Sequence, residues 1–112
     1  MAVSKINRGF KIEQILNVDS TSLSSSEYRS FSCNWKNYDM LLLMSWQYGN
    51  QCEDMLITNS YFASTTQTRK PLLNDVANNI TYHAFQNGDS SVKLASTKSD
   101  SALGFRIFGI KF

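Results

Sequence analysis

Apolar and polar residues alternate with a period of two through most of this chain, and no segment carries an apolar stripe at helical spacing. Successive side chains on a strand point to opposite faces, so this pattern selects sheets. "YRSFSCNW" (28–35) is the plainest case. Phe31, Cys33 and Trp35 fall on one side, and Ser30, Ser32 and Asn34 on the other. That describes a half-buried strand with one wet face. "FKIEQIL" (10–16) keeps Phe10, Ile12 and Leu16 in one register, and "EDMLITNSYF" (53–62) puts Met55, Ile57 and Tyr61 in phase. "NITYHAF" (79–85) and "SVKLAST" (91–97) flank the tight-turn signal "QNGDS", which makes them a hairpin with Val92 and Leu94 inward. Residues 63–78 form the longest irregular stretch; they hold Pro71, and "LLNDVA" suits one short helical turn. The sum is about seven to eight short strands with Asn, Gly, Ser and Asp at the turns, an all-β chain folded as an antiparallel β-sandwich or jelly roll. With 112 residues, one domain spanning 1–112 is expected, residues 1–20 being an N-terminal strand or a connection to a shaft.

Two strands depart from one-sided burial. In "YDMLLLMSWQY" (38–48), Tyr38, Met40, Leu42, Met44, Trp46 and Tyr48 share a face that suits the core, yet Leu41 and Leu43 occupy the other. In the last segment, "GFRIFGIKF" (104–112), Phe105 and Ile107 face one way and Phe108, Ile110 and Phe112 the other. A strand apolar on both faces needs cover on both, because an exposed apolar edge or face invites association. A symmetric oligomer is the common solution. Leu41, Leu43, Phe108, Ile110 and Phe112 are therefore the expected interface between copies; the alternative is a crowded core in a monomer.

Charged residues make up only 18% of the chain and the net charge is +2, with the basic residues scattered. Nucleic-acid binding needs clustered Lys and Arg, so none is expected. No apolar run of about 18 residues is present, so no membrane insertion by a helix is expected. "MAVSKINRGFKIEQ" lacks the apolar centre of a signal peptide, so synthesis in a cytoplasm is expected. Cys33 reads as a small core residue and Cys52 as a residue near a turn, with a bridge between them the less favoured alternative. No metal site and no cofactor are expected from one histidine and two distant cysteines.

Catalysis finds little to stand on. A triad could be drawn from His83 with Asp39 or Asp54, but any chain rich in Ser and Asp allows one, and no G-x-S-x-G elbow is present. Glu53 and Asp54 are adjacent, so on a strand they point apart and cannot flank one glycosidic bond. No enzymatic activity is expected. Binding has more. Sugar recognition pairs an aromatic face with amides and hydroxyls, and loops on a rigid sandwich commonly carry it. "SWQYGNQ" offers Tyr48, Asn50 and Gln51, "TNSYF" offers Asn59 and Tyr61, and "TYHAFQN" offers Tyr82 and His83. Trp46 is assigned to the core instead, because it shares a face with Met40, Leu42 and Met44.

The segment "LSSSEYRSFSCNWKNYDMLLLMSWQYG" and the closing "GFRIFGIKF" resemble the C-terminal β-sandwich domains of bacteriophage tail fibres and receptor-binding proteins. In both, a polar strand leads through a turn into a Tyr-acid pair and a run of aliphatics, here Tyr38-Asp39 and Leu41, Leu42 and Leu43. The likeness covers about residues 21–112 and rests on hydrophobic pattern more than on fixed residues. It implies a homotrimeric, non-catalytic tip of a virion fibre that attaches to a host-surface glycan, teichoic acid or protein. Domains of that family sit behind a long shaft; this sequence starts at "MAVSKINRGF", as an excised domain or a short gene product would. Two other expectations remain: a structural virion component such as a trimerisation cap, baseplate or decoration protein, and a free-standing carbohydrate-binding module.

Overall fold

The computed structural model describes residues 9–18, 27–47, 50–77, 79–97 and 103–112, with backbone alone at 47 and 50–52. Eight strands form an all-β sandwich: β1 (Lys11–Val18), β2 (Arg29–Ser32), β3 (Met40–Gln47), β4 (Asn50–Thr58), β5 (Leu72–Asp75), β6 (Ile80–Gln86), β7 (Ser91–Ser96) and β8 (Leu103–Lys111). They make two antiparallel four-stranded sheets, ordered β1-β8-β3-β4 and β2-β7-β6-β5. A 3-10 turn, Trp35–Asn37, precedes β3, and one short helix, α1 (Asn59–Ala63), follows β4.

Cross-strand partners share a face, so the register sorts every side chain into inside or outside. Leu43 pairs with Ile107 on one side and Met55 on the other, and Ile107 pairs with Leu16. That row faces the core. The next row, Leu42 with Phe108, Leu56 and Gln14, faces outward. The even-numbered face of β3 is therefore the outer one. Leu41 and Leu43 are completely buried, whereas Met40, Leu42, Met44 and Trp46 are half-buried. This reverses the expected sides of β3, and it removes Leu41 and Leu43 from any interface between copies. Alternation alone could not decide, because both sides of β3 are apolar. In β8 the division expected from sequence holds: Phe105 and Ile107 are core, Phe108 is half-buried outside, and Phe112 is exposed. Ile110 lies on the outer side but is itself buried.

β1 changes sides part-way. A bulge between Gln14 and Leu16 inserts a residue. Such an insertion flips the alternation beyond it. Ile12 is consequently outside and 52% exposed, whereas Leu16 and Val18 are inside. Phe10, Ile12 and Leu16 do not share one face.

Three elements differ from the sequence reading. β2 ends at Ser32, and Trp35 begins the 3-10 turn, although Cys33 and Trp35 are buried as expected. The chain after β4 is helical, because Thr58 caps α1 by accepting a hydrogen bond from the Tyr61 N–H at 3.1 Å. That turn swings Phe62, not Tyr61, into the core against Trp35, with ring centroids 5.1 Å apart. Leu72–Asp75 is a strand instead of a helical turn, and it buries Leu73 while pairing with β6.

Several polar bonds lock the layers. Glu53 Oε2 accepts from the Asn74 N–H at 2.8 Å and stitches edge strand β4 to edge strand β5. The Tyr82 hydroxyl crosses the core to donate to the Trp46 carbonyl at 2.9 Å. Trp35 Nε1 donates to the Gly88 carbonyl at 2.8 Å, tying the 3-10 turn to the β6–β7 hairpin. Gly88 has φ +93°, a conformation that suits glycine and lets that hairpin close. Cys33 is a free, buried thiol, and so is not bridged to Cys52.

Candidate functional site

The outer face of the β2-β7-β6-β5 sheet carries an open cleft of about 410 Å³. Its floor comes from strand positions that alternate with core residues. His83 and Ala95 are cross-strand partners on this face. Their neighbours Tyr82, Ala84, Leu94 and Ser96 are buried. Lys93 lies one row along, opposite Ser30 and Phe85. Glu27 and Tyr28, just before β2, form one wall, Gln67 from the α1–β5 connection forms another, and Thr97 closes the end.

Tyr28 is fixed in this cleft by three contacts. Its ring meets Phe85 edge-on at 4.9 Å, and its hydroxyl oxygen lies 3.3 Å from His83 Nδ1. Lys70 Nζ stands 5.6 Å from the ring centroid, within the range of a cation–π contact. Burial, reinforced by the positive charge of Lys70, holds the His83 imidazole below its ordinary pKa. The ring is thus neutral at neutral pH, with one nitrogen donating and the other accepting. Lys93 lines the cleft, and Lys70 stands against the Tyr28 ring and donates to the Gln67 carbonyl at 3.4 Å. Neither lysine makes an ion pair among the described residues.

The residues expected to bind do not converge. Of the four whose side chains are described, His83 alone lines this cleft. Tyr82, its neighbour, points the opposite way and is completely buried, so it serves the core. Asn59 spends its side-chain amide on the Trp35 carbonyl at 3.1 Å, holding α1 to the 3-10 turn. Tyr61 is exposed on α1. Tyr48 lies outside the described residues, as do the side chains of Asn50 and Gln51. The missed wall residue Tyr28 begins the plainest alternating segment, and Lys93 sits between inward Val92 and Leu94, so its outward direction was readable. Gln67 and Lys70 carried no signal, because they come from an irregular stretch whose path only folding sets.

Side chains considered for catalysis have structural partners. Asp39 Oδ2 accepts from the Phe112 N–H at 2.8 Å, and Asp39 N–H donates to the Ile110 carbonyl at 2.9 Å. Asp39 thereby clamps the end of β8 beside β3. Burial pushes the Cys33 thiol up to about 12, which leaves almost no thiolate at neutral pH. A second hollow of about 300 Å³ is lined by Lys11, Glu13, Asn37, Tyr38 and Lys111. Its carboxylate is already engaged: Lys11 bonds Glu13 at 2.7 Å, and the Tyr38 hydroxyl donates to it at 2.5 Å. Hydrogen bonds from Lys11 and then Tyr38 keep Glu13 below the usual carboxylate range.

The outer face of the other sheet is apolar over two rows and charged in a third. Ile12, Ile110, Met40 and Thr58 form one row, and Gln14, Phe108, Leu42 and Leu56 the next. Asn17, Arg106, Met44 and Asp54 form the third. Leu56 is 56% exposed, and Phe10 and Phe112 meet edge-on at 6.0 Å. Trp46, expected in the core, lies on this outer side under the Arg106 guanidinium, which is 4.2 Å from its ring centroid. No protein-family model, curated protein or solved structure matches the chain.

Proposed function

We propose that this protein is a non-catalytic attachment domain of the tail-fibre-tip kind, carried on a virion and binding a host-surface glycan or protein. The observation that carries this reading is the opposed chemistry of the two outer faces. One sheet presents a polar cleft with a fixed tyrosine, His83 and Lys93, and with Lys70 against the tyrosine ring. The other presents two adjacent rows without a charged side chain. The cleft falls within the usual size of small-ligand sites. The apolar face suits assembly. Four strands about 4.8 Å apart and about eight residues long span on the order of 500 Å², and the two uncharged rows cover roughly half of it. Leu56, Leu42 and Phe108 stand together in that half, which is where a second copy would pack. Further copies of this chain are the occupants proposed for that face, in the homotrimer expected from the resemblance. Weak sites carried in threes would gain by raised effective concentration.

Light scattering behind a sizing column tests assembly, and adhesion of the labelled protein to host cells tests attachment. A mass three times the 12.7 kDa chain, with saturable adhesion lost in Tyr28→Ala, supports the reading. A monomer that does not adhere overturns it. A trimer that does not adhere favours the structural virion component, for which the apolar face alone would suffice.

A further inference from the structure

We infer that the cleft on the β2-β7-β6-β5 sheet takes an acidic sugar, with Lys93 and Lys70 meeting the ligand carboxylate and Tyr28 and His83 supplying the ring-facing wall. This inference rests on the attachment reading and names the class of its ligand. Three observations carry it.

The first is size and shape. An open hollow of about 410 Å³ on a sheet face admits one or two saccharide units and leaves the rest of a chain free to continue. The second is rigidity. Tyr28 is held by Phe85, His83 and Lys70 together, so its orientation is set before any ligand arrives. Preorganised aromatic walls reduce the ordering cost of binding. The third is charge. Among the described residues, Glu27 is the one carboxylate lining the hollow, against Lys93 at its floor and Lys70 beside Tyr28. Those two amines make no ion pair among the described residues; Lys70 Nζ donates to the Gln67 carbonyl at 3.4 Å, which leaves its charge unpaired. A carboxylate would complete them with charge-assisted hydrogen bonds. The Gln67 side chain remains for sugar hydroxyls, and the Thr97 hydroxyl, which accepts from the Thr81 N–H at 2.9 Å, can still donate to one.

The chain has a single histidine, and it lies in this cleft. His83 is therefore a built-in reporter. The groups around it are Tyr28, Lys70, Lys93 and Glu27, and burial and Lys70 depress its pKa. A bound carboxylate offsets that positive charge and must raise the pKa again; a neutral sugar has no such effect.

The test is NMR of the full chain, following the His83 imidazole and backbone amides during titration with D-glucuronate, D-glucose or inorganic phosphate at constant ionic strength. The expected result is saturable perturbation of Tyr28, His83, Lys93 and Thr97 by glucuronate, with a rise in the His83 pKa. Glucose should bind at least tenfold more weakly, and Lys93→Gln should weaken glucuronate severalfold while leaving the spectrum of the fold intact. Equal binding of glucose overturns the acidic class and keeps a sugar site. Equal binding of phosphate overturns the sugar and leaves a plain anion site. No perturbation by any probe overturns the inference, and the adhesion assay separately decides the attachment reading.

Discussion

On the β1-β8-β3-β4 sheet, Phe108 and Leu42 stand side by side on the outer face, flanked by Leu56 and Gln14. On the β2-β7-β6-β5 sheet, the corresponding surface offers Lys93 beside Ser30 and His83 beside Ala95. Both sheets have four antiparallel strands and bury their inner faces in the same core. Burial explains the inner faces and is silent on this contrast. A single sandwich needs one apolar face per sheet. The second apolar face on the first sheet adds nothing to the core of one chain, whereas the polar face of the second sheet is what a free surface requires. The two outer faces therefore suit different contacts, the assembly and the ligand binding proposed above.

The sharpest way to break that comparison is to place the same charge on neighbouring residues of β3. Leu43→Asp puts an unpaired carboxylate in a completely buried position. Burying a charge costs several kcal/mol or forces protonation, and whole domains hold only about 5–15 kcal/mol. The expected outcome is loss of the cooperative thermal transition in circular dichroism. Leu42→Asp changes the outer face instead. It should retain the transition and reduce the solution mass to the 12.7 kDa of one chain. Unfolding of both variants, or of neither, would mean that the two sides of β3 do not differ as described.

Gly109→Ala tests the end of the same sheet. A Cβ built at Gly109 would meet the Tyr38 ring, with the nearest atom at 2.4 Å. The ring is held by its bond to Glu13 and cannot simply swing aside. Overpacking of this kind costs about 1–3 kcal/mol. The expected readout is a Tm lowered by roughly 4–24 °C, taking about 4–8 °C per kcal/mol for a domain near this size. Thr58→Ala should have a smaller effect. It removes the hydroxyl that accepts from the Tyr61 N–H, at a cost of about 0.5–2 kcal/mol, read from urea midpoints.

The smallest expected effect belongs to the polar face. His83 has a folded pKa below its ordinary 6.5, so between those two values the unfolded chain binds more protons than the folded one. Stability from this group is fully present above about pH 6.5 and falls as pH drops through the lowered folded value. Urea midpoints measured between pH 7 and pH 5 should decline more steeply in the native chain than in His83→Gln, at the edge of detection. An identical slope in both would show that His83 is not held neutral by its surroundings.

Much of the architecture was readable. Phe31, Cys33 and Trp35 alternate with serines and asparagine, and Val92 and Leu94 alternate with Ser91, Lys93 and Ala95; each set buries its apolar members wholly or in part. The split of β8 into Phe105 and Ile107 against Phe108 and Ile110 followed from the same rule. The cleft was not readable as a site. Tyr28, Gln67, His83 and Lys93 are far apart along the chain and meet only because β2, β7 and β6 are neighbours. His83 was picked out among seven residues, but its partners were not.

Sequence alone determined that strands would form, where most of them would lie, and that β3 and β8 would each carry two apolar sides, because side-chain alternation is a local property of the backbone. Tertiary structure decided which side of β3 faces the core. Registers with β8 and β4 put Leu41 and Leu43 inside, and a single inserted residue in β1 sent Ile12 outward while keeping Leu16 in. Pairing partners lie far away in the chain, and a shift of one residue exchanges the faces, so no local pattern could have settled it.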